Sequence, residues 1–284
     1  VSDLGPVDPG LAGDAAWLRR WRLRPDGDPL TTTSSRIIPV LTGDGVPAML
    51  RLAHTDEEVR GTELLVALAG RGAARVLEHD GEALLLERAT GPRDLVRMVT
   101  DGRDDEATRI ICEAAGRIHG ASGLVLERPD PPGLIDLPTW FRELFAGADR
   151  LGPLHRRGAD LAAELFDDPR DAVVLHGDLH HGNVLDFGER GWLAIDPKGL
   201  IGEASFDYCN VLCNPSHERA ARPGRLERQF GVVAEASGIG PARLARWLVA
   251  WCALSSTWFA LDDDPARADS AAAIGERALT LLEA

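Results

Sequence analysis

An acid, an amide and a second acid are grouped in the stretch from Val173 to Gly199, which reads VVLHGDLHHGNVLDFGERGWLAIDPKG. Asp178 follows His176 and Gly177, Asn183 comes five residues later, and Asp196 ends the apolar run that starts at Trp192. Phosphoryl transfer uses such a set: one carboxylate to orient a hydroxyl and take its proton, with an amide and a second carboxylate to hold Mg2+ on the phosphates. Asp and Asn also favour turns, through hydrogen bonds to their own backbone. His176, Asp178, His180 and His181 in the same loop are residue types that bind zinc. A metal-dependent hydrolase is therefore a second chemistry open to these residues.

Elements must hold these groups in place. Val173–Leu175 reads as a buried strand end and Trp192–Ile195 as a second run, which predicts a hairpin carrying the acids on its connecting loops. Upstream, Pro9–Arg20 has helical spacing, and Trp21–Arg24, Ser34–Leu41 and Ala48–Ala53 read as strands around turns at Asp26-Gly27 and Gly43-Asp44-Gly45. Thr55 and Glu58 form a capping box for a helix to about Ala69. Arg75–Leu77 and Ala83–Glu87 complete five strands with one helix inserted after the third. Gly91-Pro92 breaks the pattern, and the remainder is helical: Asp94–Val99, Asp105–His119, Leu137–Ala148, Gly158–Phe166, Arg225–Ala236, Pro241–Leu261 and Ala266–Leu282. The division expected is a β-rich lobe over 1–88, a hinge at 89–93 and a helical lobe over 94–284.

Composition narrows the partners. At 284 residues and 44% apolar content the chain can bury a large core. Its net charge of −14 argues against nucleic acid, whose phosphates need a basic surface, and is compatible with a cationic small molecule. Lys198 is the single lysine. Cys112, Cys209, Cys213 and Cys252 form no C-x-x-C pair and read as reduced, buried thiols of a cytoplasmic protein. The opening VSDLGPVDPG lacks the basic and apolar regions of a leader peptide. The apolar segment Trp247–Leu261, interrupted by Ser255, Ser256 and Thr257, reads as a core helix rather than a membrane span.

The order of five strands with an inserted helix, a hinge, helices, HGDLHHGNVL at 176–185 and WLAIDPKGLIGE at 192–203 resembles protein-kinase-like folds. With RGAARVLEHD at 71–80 and LLLER at 84–88, it looks like the aminoglycoside phosphotransferase superfamily, nearest the streptomycin 6-phosphotransferase and hydroxyurea phosphotransferase family. The resemblance covers roughly residues 15 to 265 and implies an α+β, two-lobe fold: a five-stranded antiparallel N-lobe and a larger, mainly helical C-lobe. It implies an ATP- and Mg2+-dependent O-phosphotransferase acting on a cationic small molecule, as a monomer or weak dimer with no membrane or nucleic-acid partner.

Carried over residue by residue, Asp178 matches the catalytic base and His176 the histidine that braces it. Asn183 and Asp196 match the Mg2+ ligands; Mg2+ keeps water and phosphate oxygens, so two side chains suffice. Asp207 matches the acid that supports the catalytic loop from below. Glu87 and Ala89 fall in the hinge whose backbone meets adenine. Ser34, in the run Thr31–Ser35, falls where the first hairpin covers the phosphates. Arg51 stands where the family usually has lysine, with Glu58 as its ion-pair partner and Glu63 as the alternative. Arginine pairs bidentately with carboxylate and phosphate but is not interchangeable with lysine, so a kinase-like binding protein with weak or no phosphotransfer is the alternative reading. Glu203, Trp258 and Asp262 are the expected substrate contacts, as acidic or aromatic partners of a cation.

Overall fold

Short β-forming runs separated by Gly and Asp turns build the first third of the molecule. The computed structural model describes residues 9–32, 34–170 and 172–282; the segment 1–8 read above for a leader, and Thr33, lie outside them. α1 (Pro9–Arg20) leads to β1 (Arg24–Pro25), β2 (Leu30–Thr31), β3 (Ser35–Leu41) and β4 (Pro47–Ala53). α2 (Asp56–Leu68), β5 (Val76–Asp80) and β6 (Ala83–Glu87) follow. The strands pair antiparallel in the order β1-β3-β4-β6-β5, with β2 beside β3. This makes six strands where five were expected, because residues 24–31 supply two strands of two residues each. The strand expected at Trp21–Arg24 starts only at Arg24, since Arg22 adopts a left-handed φ of 53° where α1 ends in a turn.

The pleat decides where Arg51 points. Ala48, Leu50 and Leu52 join Ile38, Val40, Ala83 and Leu85 in a core cluster against Trp17 and Leu18 of α1 and Trp21 just after it. Alternate residues of a strand face opposite ways, so Arg51 turns to the other side, towards α2. That helix starts at Thr55, whose hydroxyl accepts the Glu58 backbone N–H at 3.4 Å. Only this half of the expected capping box forms, because the Glu58 side chain is drawn to Arg51. α2 ends where Ala69 takes a left-handed φ of 50°.

After Glu87 the chain crosses to α3 (Leu95–Thr100), α4 (Asp104–His119) and α5 (Ser122–Leu126), then β7 (Ile135–Asp136), α6 (Leu137–Trp140), α7 (Arg142–Leu151) and α8 (Pro153–Asp167). α4 buries Ala107, Ile111, Ala114, Ala115 and Ile118, with Ile110 only partly covered, and carries Asp104, Asp105 and Glu106 at its positive end. The helix expected at Leu137–Ala148 is instead α6 and α7. They break at Phe141, whose buried ring meets Phe166, Phe206 and Trp247 edge-on.

β8 (Ala172–Leu175), β9 (Val184–Asp186), β10 (Trp192–Ala194) and β11 (Leu200–Glu203), together with β7, form two small sheets. The expected pairing of Val173–Leu175 with the Trp192 run does not occur. β9 pairs with β10, while β8 pairs antiparallel with β11, Leu175 opposite Leu200. A four-residue apolar run matches any exposed edge equally well, so its partner is settled by the loops between. α9 (Ser205–Cys213), α10 (His217–Ala220), α11 (Arg225–Ser237), α12 (Pro241–Leu261) and α13 (Pro265–Leu279) complete the helical lobe. α12 is long and apolar enough to cross a membrane by length and composition, but it is the central core helix, with most of its surface buried by protein. All four cysteines are free and buried.

Candidate active site

The loop after β8 is fastened from beneath. Asp207, in the first turn of α9, accepts the backbone N–H groups of His176 (2.9 Å) and Gly177 (2.8 Å), and His119 Nε2 lies 2.9 Å from its Oδ2. Burial pushes the Asp207 pKa up, yet the hydrogen bonds from His119 and the Gly177 N–H hold it below the ordinary carboxylate value. His176 is fully buried. Its Nε2 donates to the Ile195 carbonyl at 2.7 Å and its Nδ1 accepts the Asp178 N–H at 3.2 Å. Burial lowers the His176 pKa against the pull of Asp207 and Asp178, so the ring stays neutral and ties the two halves of the site together.

Asp178 therefore projects from a fixed backbone. Its Oδ1 accepts from Asn210 Nδ2 at 2.9 Å and its Oδ2 from Asn183 Nδ2 at 3.2 Å. Asn183 Nδ2 also donates to the Asp178 carbonyl at 2.9 Å. With its nitrogen occupied, the Asn183 amide presents its oxygen elsewhere. The Asn183 carbonyl accepts the Ile195 N–H at 2.9 Å, which brings Asp196 alongside. Asp196 sits at φ 59° before Pro197, a conformation uncommon for a residue other than glycine. Such outliers persist only where surroundings over-determine them. An amide oxygen and a carboxylate are the hard donors Mg2+ prefers, so Asn183 and Asp196 fit the ion.

Arg51 reaches the same carboxylate from the sheet. Its Nη1 lies 2.6 Å from Asp196 Oδ1 and 2.7 Å from Glu58 Oε2, and its Nη2 donates to Thr62 Oγ1 at 2.9 Å. Glu58 is thus the partner; Glu63 instead accepts the Gly133 N–H at 3.4 Å. α2 can lie this close because residue 61 is glycine: a Cβ there would fall 2.1 Å from the Pro197 carbonyl oxygen. Lys198, two residues past Asp196, places Nζ 3.0 Å from Glu57 Oε1 and 3.7 Å from Asp196 Oδ2. Burial disfavours its charge, but Asp196, Glu57 and Asp178 outweigh this and raise its pKa.

Ser34 Oγ donates to Glu58 Oε1 at 2.8 Å, so it steadies the Arg51 partner. Glu87 uses its side chain to accept the Arg75 N–H at 2.5 Å and to pair with Arg190; Ala89 packs half-buried on the core. The segment after Glu87 is strapped to β9 by Gly91, whose N–H donates to the Asp186 carbonyl at 2.9 Å, and by Arg93. The Arg93 guanidinium meets Asp186 at 2.7 and 2.9 Å and lies over the Trp192 ring.

On the other side of Asp178 opens a cleft of about 490 Å3, lined by Gly177, Asp178, Lys198, Trp258 and Asp262, with Trp140, Glu57 and Glu143. Two of the expected substrate contacts are there. Trp258 stacks edge-on against Trp140 with centroids 5.4 Å apart. Glu203 is not. It lies at the end of β11, buried, with Arg243 Nη2 2.6 Å from its Oε2 and Ser205 Oγ donating at 2.8 Å. Pairing with Arg243 explains why an acid near the catalytic segment faces away from the cleft. The zinc set does not converge either: both ring nitrogens of His176 are engaged, His180 Nδ1 accepts the Gly182 N–H at 3.0 Å, and His181 is buried. Sequence reasoning missed Asn210, Trp140, Glu143 and the Arg93–Asp186 strap, whose partners in space lie tens of residues away in the chain.

Acidification is expected to loosen the fold. Burial lowers the pKa values of His155, His176 and His217, and that of His181 to about 3, with Arg225 and His180 adding to the effect. An unfolded histidine binds its proton near pH 6.5; these folded ones do not. The unfolded state then binds more protons as pH falls below that value, and stability declines. His181 alone contributes about 2 kcal/mol of that loss by pH 5. The melting temperature at pH 5 is expected to lie about 5 °C or more below that at pH 7.5, and His181→Gln should flatten part of the slope. An equal melting temperature at both pH values would refute this.

Comparison with known proteins adds to this geometry. Residues 20–263 match the family described as aminoglycoside/hydroxyurea antibiotic resistance kinase. The chain is 47% identical over 251 residues to the streptomycin 3''-kinase of Klebsiella pneumoniae, covering 85% of this chain and 90% of that one. It is 33% identical over 273 residues to the streptomycin 6-kinase of Streptomyces griseus, covering 90% and 85%. Among solved structures, a thermostable mutant of aminoglycoside phosphotransferase APH(4)-Ia, in ternary complex with ADP and hygromycin B, superposes with a TM-score of 0.66 at 14% identity, covering 95% of this chain and 97% of that one.

Proposed function

The chain belongs to the aminoglycoside/hydroxyurea antibiotic resistance kinase family, and on that premise we propose that it transfers the γ-phosphoryl group of ATP to the 3''-hydroxyl of streptomycin. The observation that carries this is Asp178, held by Asn210 and Asn183 and facing a cleft whose walls are acidic and aromatic. Streptomycin carries guanidinium groups and many hydroxyls. Asp262 supplies opposite charge, with Glu143 sharing its carboxylate with Arg142, and Trp140 and Trp258 supply faces on which a guanidinium or a sugar ring rests. A cleft of about 490 Å3 suits a drug-sized ligand and is far larger than hydroxyurea needs. The choice of the 3'' position follows the relative from Klebsiella pneumoniae, whose sequence is the more similar of the two streptomycin kinases.

In this reading Asp178 orients the acceptor hydroxyl and takes its proton. His176 keeps the loop in register through its neutral ring, and Asn210 fixes the carboxylate rotamer. Asn183 and Asp196 would hold magnesium, which would supply positive charge to the phosphates when bound. Arg51, locked by Glu58, reaches the phosphates from the sheet side, and the backbone of Glu87 to Ala89 meets adenine at the boundary between residues 1–88 and the helical lobe. The cleft is complete within one chain, so a monomer suffices. ATP supply and four buried free thiols favour a cytoplasmic setting, and the charge of −14 a cationic substrate over nucleic acid.

Incubation with ATP, Mg2+ and streptomycin should give a singly phosphorylated product by mass spectrometry, with phosphorus–proton coupling at the 3'' position. Coupling at position 6 would overturn the regiochemistry, and no product would overturn the substrate. Trp258→Ala is expected to raise the KM for streptomycin about tenfold while leaving the KM for ATP unchanged, as loss of a stacked aromatic face costs about 1–2 kcal/mol. Equal effects on both would remove Trp258 from the acceptor site.

A further inference from the structure

Three carboxylates, Asp178, Asp196 and Glu57, surround the place where a polyanionic nucleotide must meet its acceptor. The guanidinium of Arg51 is already bound to Glu58, Thr62 and Asp196 and is almost wholly buried. Of the two cations that line the cleft, Arg142 pairs with Glu143 at 3.1 Å. The other is Lys198. Its backbone N–H donates to the His176 carbonyl at 2.7 Å, so it is anchored to the catalytic loop itself. Gly177 keeps that approach open, since a Cβ there would fall 3.0 Å from the Lys198 Cβ. The ammonium lies against Asp196 on the nucleotide side and lines the same cleft as Asp178 on the acceptor side.

We propose that Lys198 is a catalytic residue whose ammonium binds the phosphoryl group in transit, between Asp196 and Asp178. In the step, the acceptor oxygen bonds to the γ-phosphorus as the bond from that phosphorus to the bridging oxygen breaks. ADP leaves with that electron pair, the acceptor proton passes to Asp178, and Lys198 keeps its three protons throughout. Charge spreads over the equatorial oxygens of the group in flight, and a positioned cation there acts on the transition state more than on bound ATP. Glu57, at 3.0 Å, holds the ammonium before the nucleotide arrives. The single lysine of the chain thus supplies at the acceptor side a charge that the buried Arg51 cannot bring there.

This rests on the phosphotransferase reading, so the test includes readouts that need no acceptor. Lys198→Met is expected to lower kcat about 100-fold or more while leaving the affinity for Mg·ATP within about threefold. Its affinity for ADP, Mg2+ and aluminium fluoride, a planar mimic of the transferring group, should fall by a factor comparable to that in kcat. Lys198→Arg should recover part of both. Lys198→Gln serves the same purpose if the methionine variant does not fold. Slow hydrolysis of ATP by water should fall in parallel, which separates failure of Lys198 from failure of streptomycin as acceptor. A kcat within fivefold of wild type, an unchanged fluoride complex, or a loss confined to Mg·ATP affinity would each overturn the proposal.

Discussion

Replacing Asp178 by asparagine is expected to lower kcat by about three orders of magnitude, with the affinity for a non-hydrolysable ATP analogue within about threefold of wild type. Positioned proton acceptors contribute about 10²–10⁴ in rate, and alignment of a hydroxyl with the phosphorus adds to that. Both roles depend on two acceptor oxygens. In the native site, Asn210 Nδ2 and Asn183 Nδ2 donate to Oδ1 and Oδ2 respectively. An asparagine at 178 would oppose one of these amides with its own NH2 group and would have no basic oxygen to offer. In the proposed function the nucleotide is held elsewhere, by Arg51, Asn183, Asp196 and the segment after Glu87, so binding should survive. Rapid-quench measurement of phosphotransfer with calorimetric titration of the analogue separates the two effects. Turnover within tenfold of wild type would remove Asp178 as the base.

Arg51→Met is expected to be the most damaging change outside the catalytic loop. It leaves Glu58 buried and without its cation, and removes one of two cations from Asp196. Breaking a buried ion pair by deleting one partner costs about 3–5 kcal/mol, mainly because the remaining charge is stranded. Urea unfolding should show that loss, and the KM for ATP should rise. Arg51→Lys should be milder in stability but not neutral. A single ammonium cannot reproduce two guanidinium nitrogens that serve Glu58, Asp196 and Thr62 at once. If Arg51→Met unfolds at the wild-type urea concentration, the network is not what docks α2 against the sheet. The arginine is in any case no sign of a dead site: its Glu58 partner is present and at bonding distance, which speaks against a binding protein without phosphotransfer.

Much of the site was legible because its groups are close in sequence. Asp178, Asn183 and His176 share one loop, and its hydrogen bonds span few residues, so spacing carries their geometry. Asp196 follows a recognisable strand. Arg51 and Glu58 were named through the family resemblance, and the pleat and the start of α2 bring them together, with Glu58 leaving its expected capping role for Arg51. Glu203 was misread for the opposite reason. Its neighbour in space, Arg243, is forty residues away on α12, and nothing near residue 203 announces it. The same holds for Asn210, Trp140 and Glu143, which belong to helices identifiable only as apolar stripes.

The strands at the catalytic segment show the boundary most sharply. The sequence by itself determined that apolar runs flank an acid–amide–acid set, since local hydrogen bonding and short loops require it. Which runs pair was decided in three dimensions. β8 found β11 rather than β10, because Asp207 and the His176 bonds hold the intervening loop open. That choice sets Lys198 beside His176 and turns its side chain into the cleft. Sequence specified the chemical groups; long-range pairing, whose partners lie tens of residues apart, decided which of them share a site.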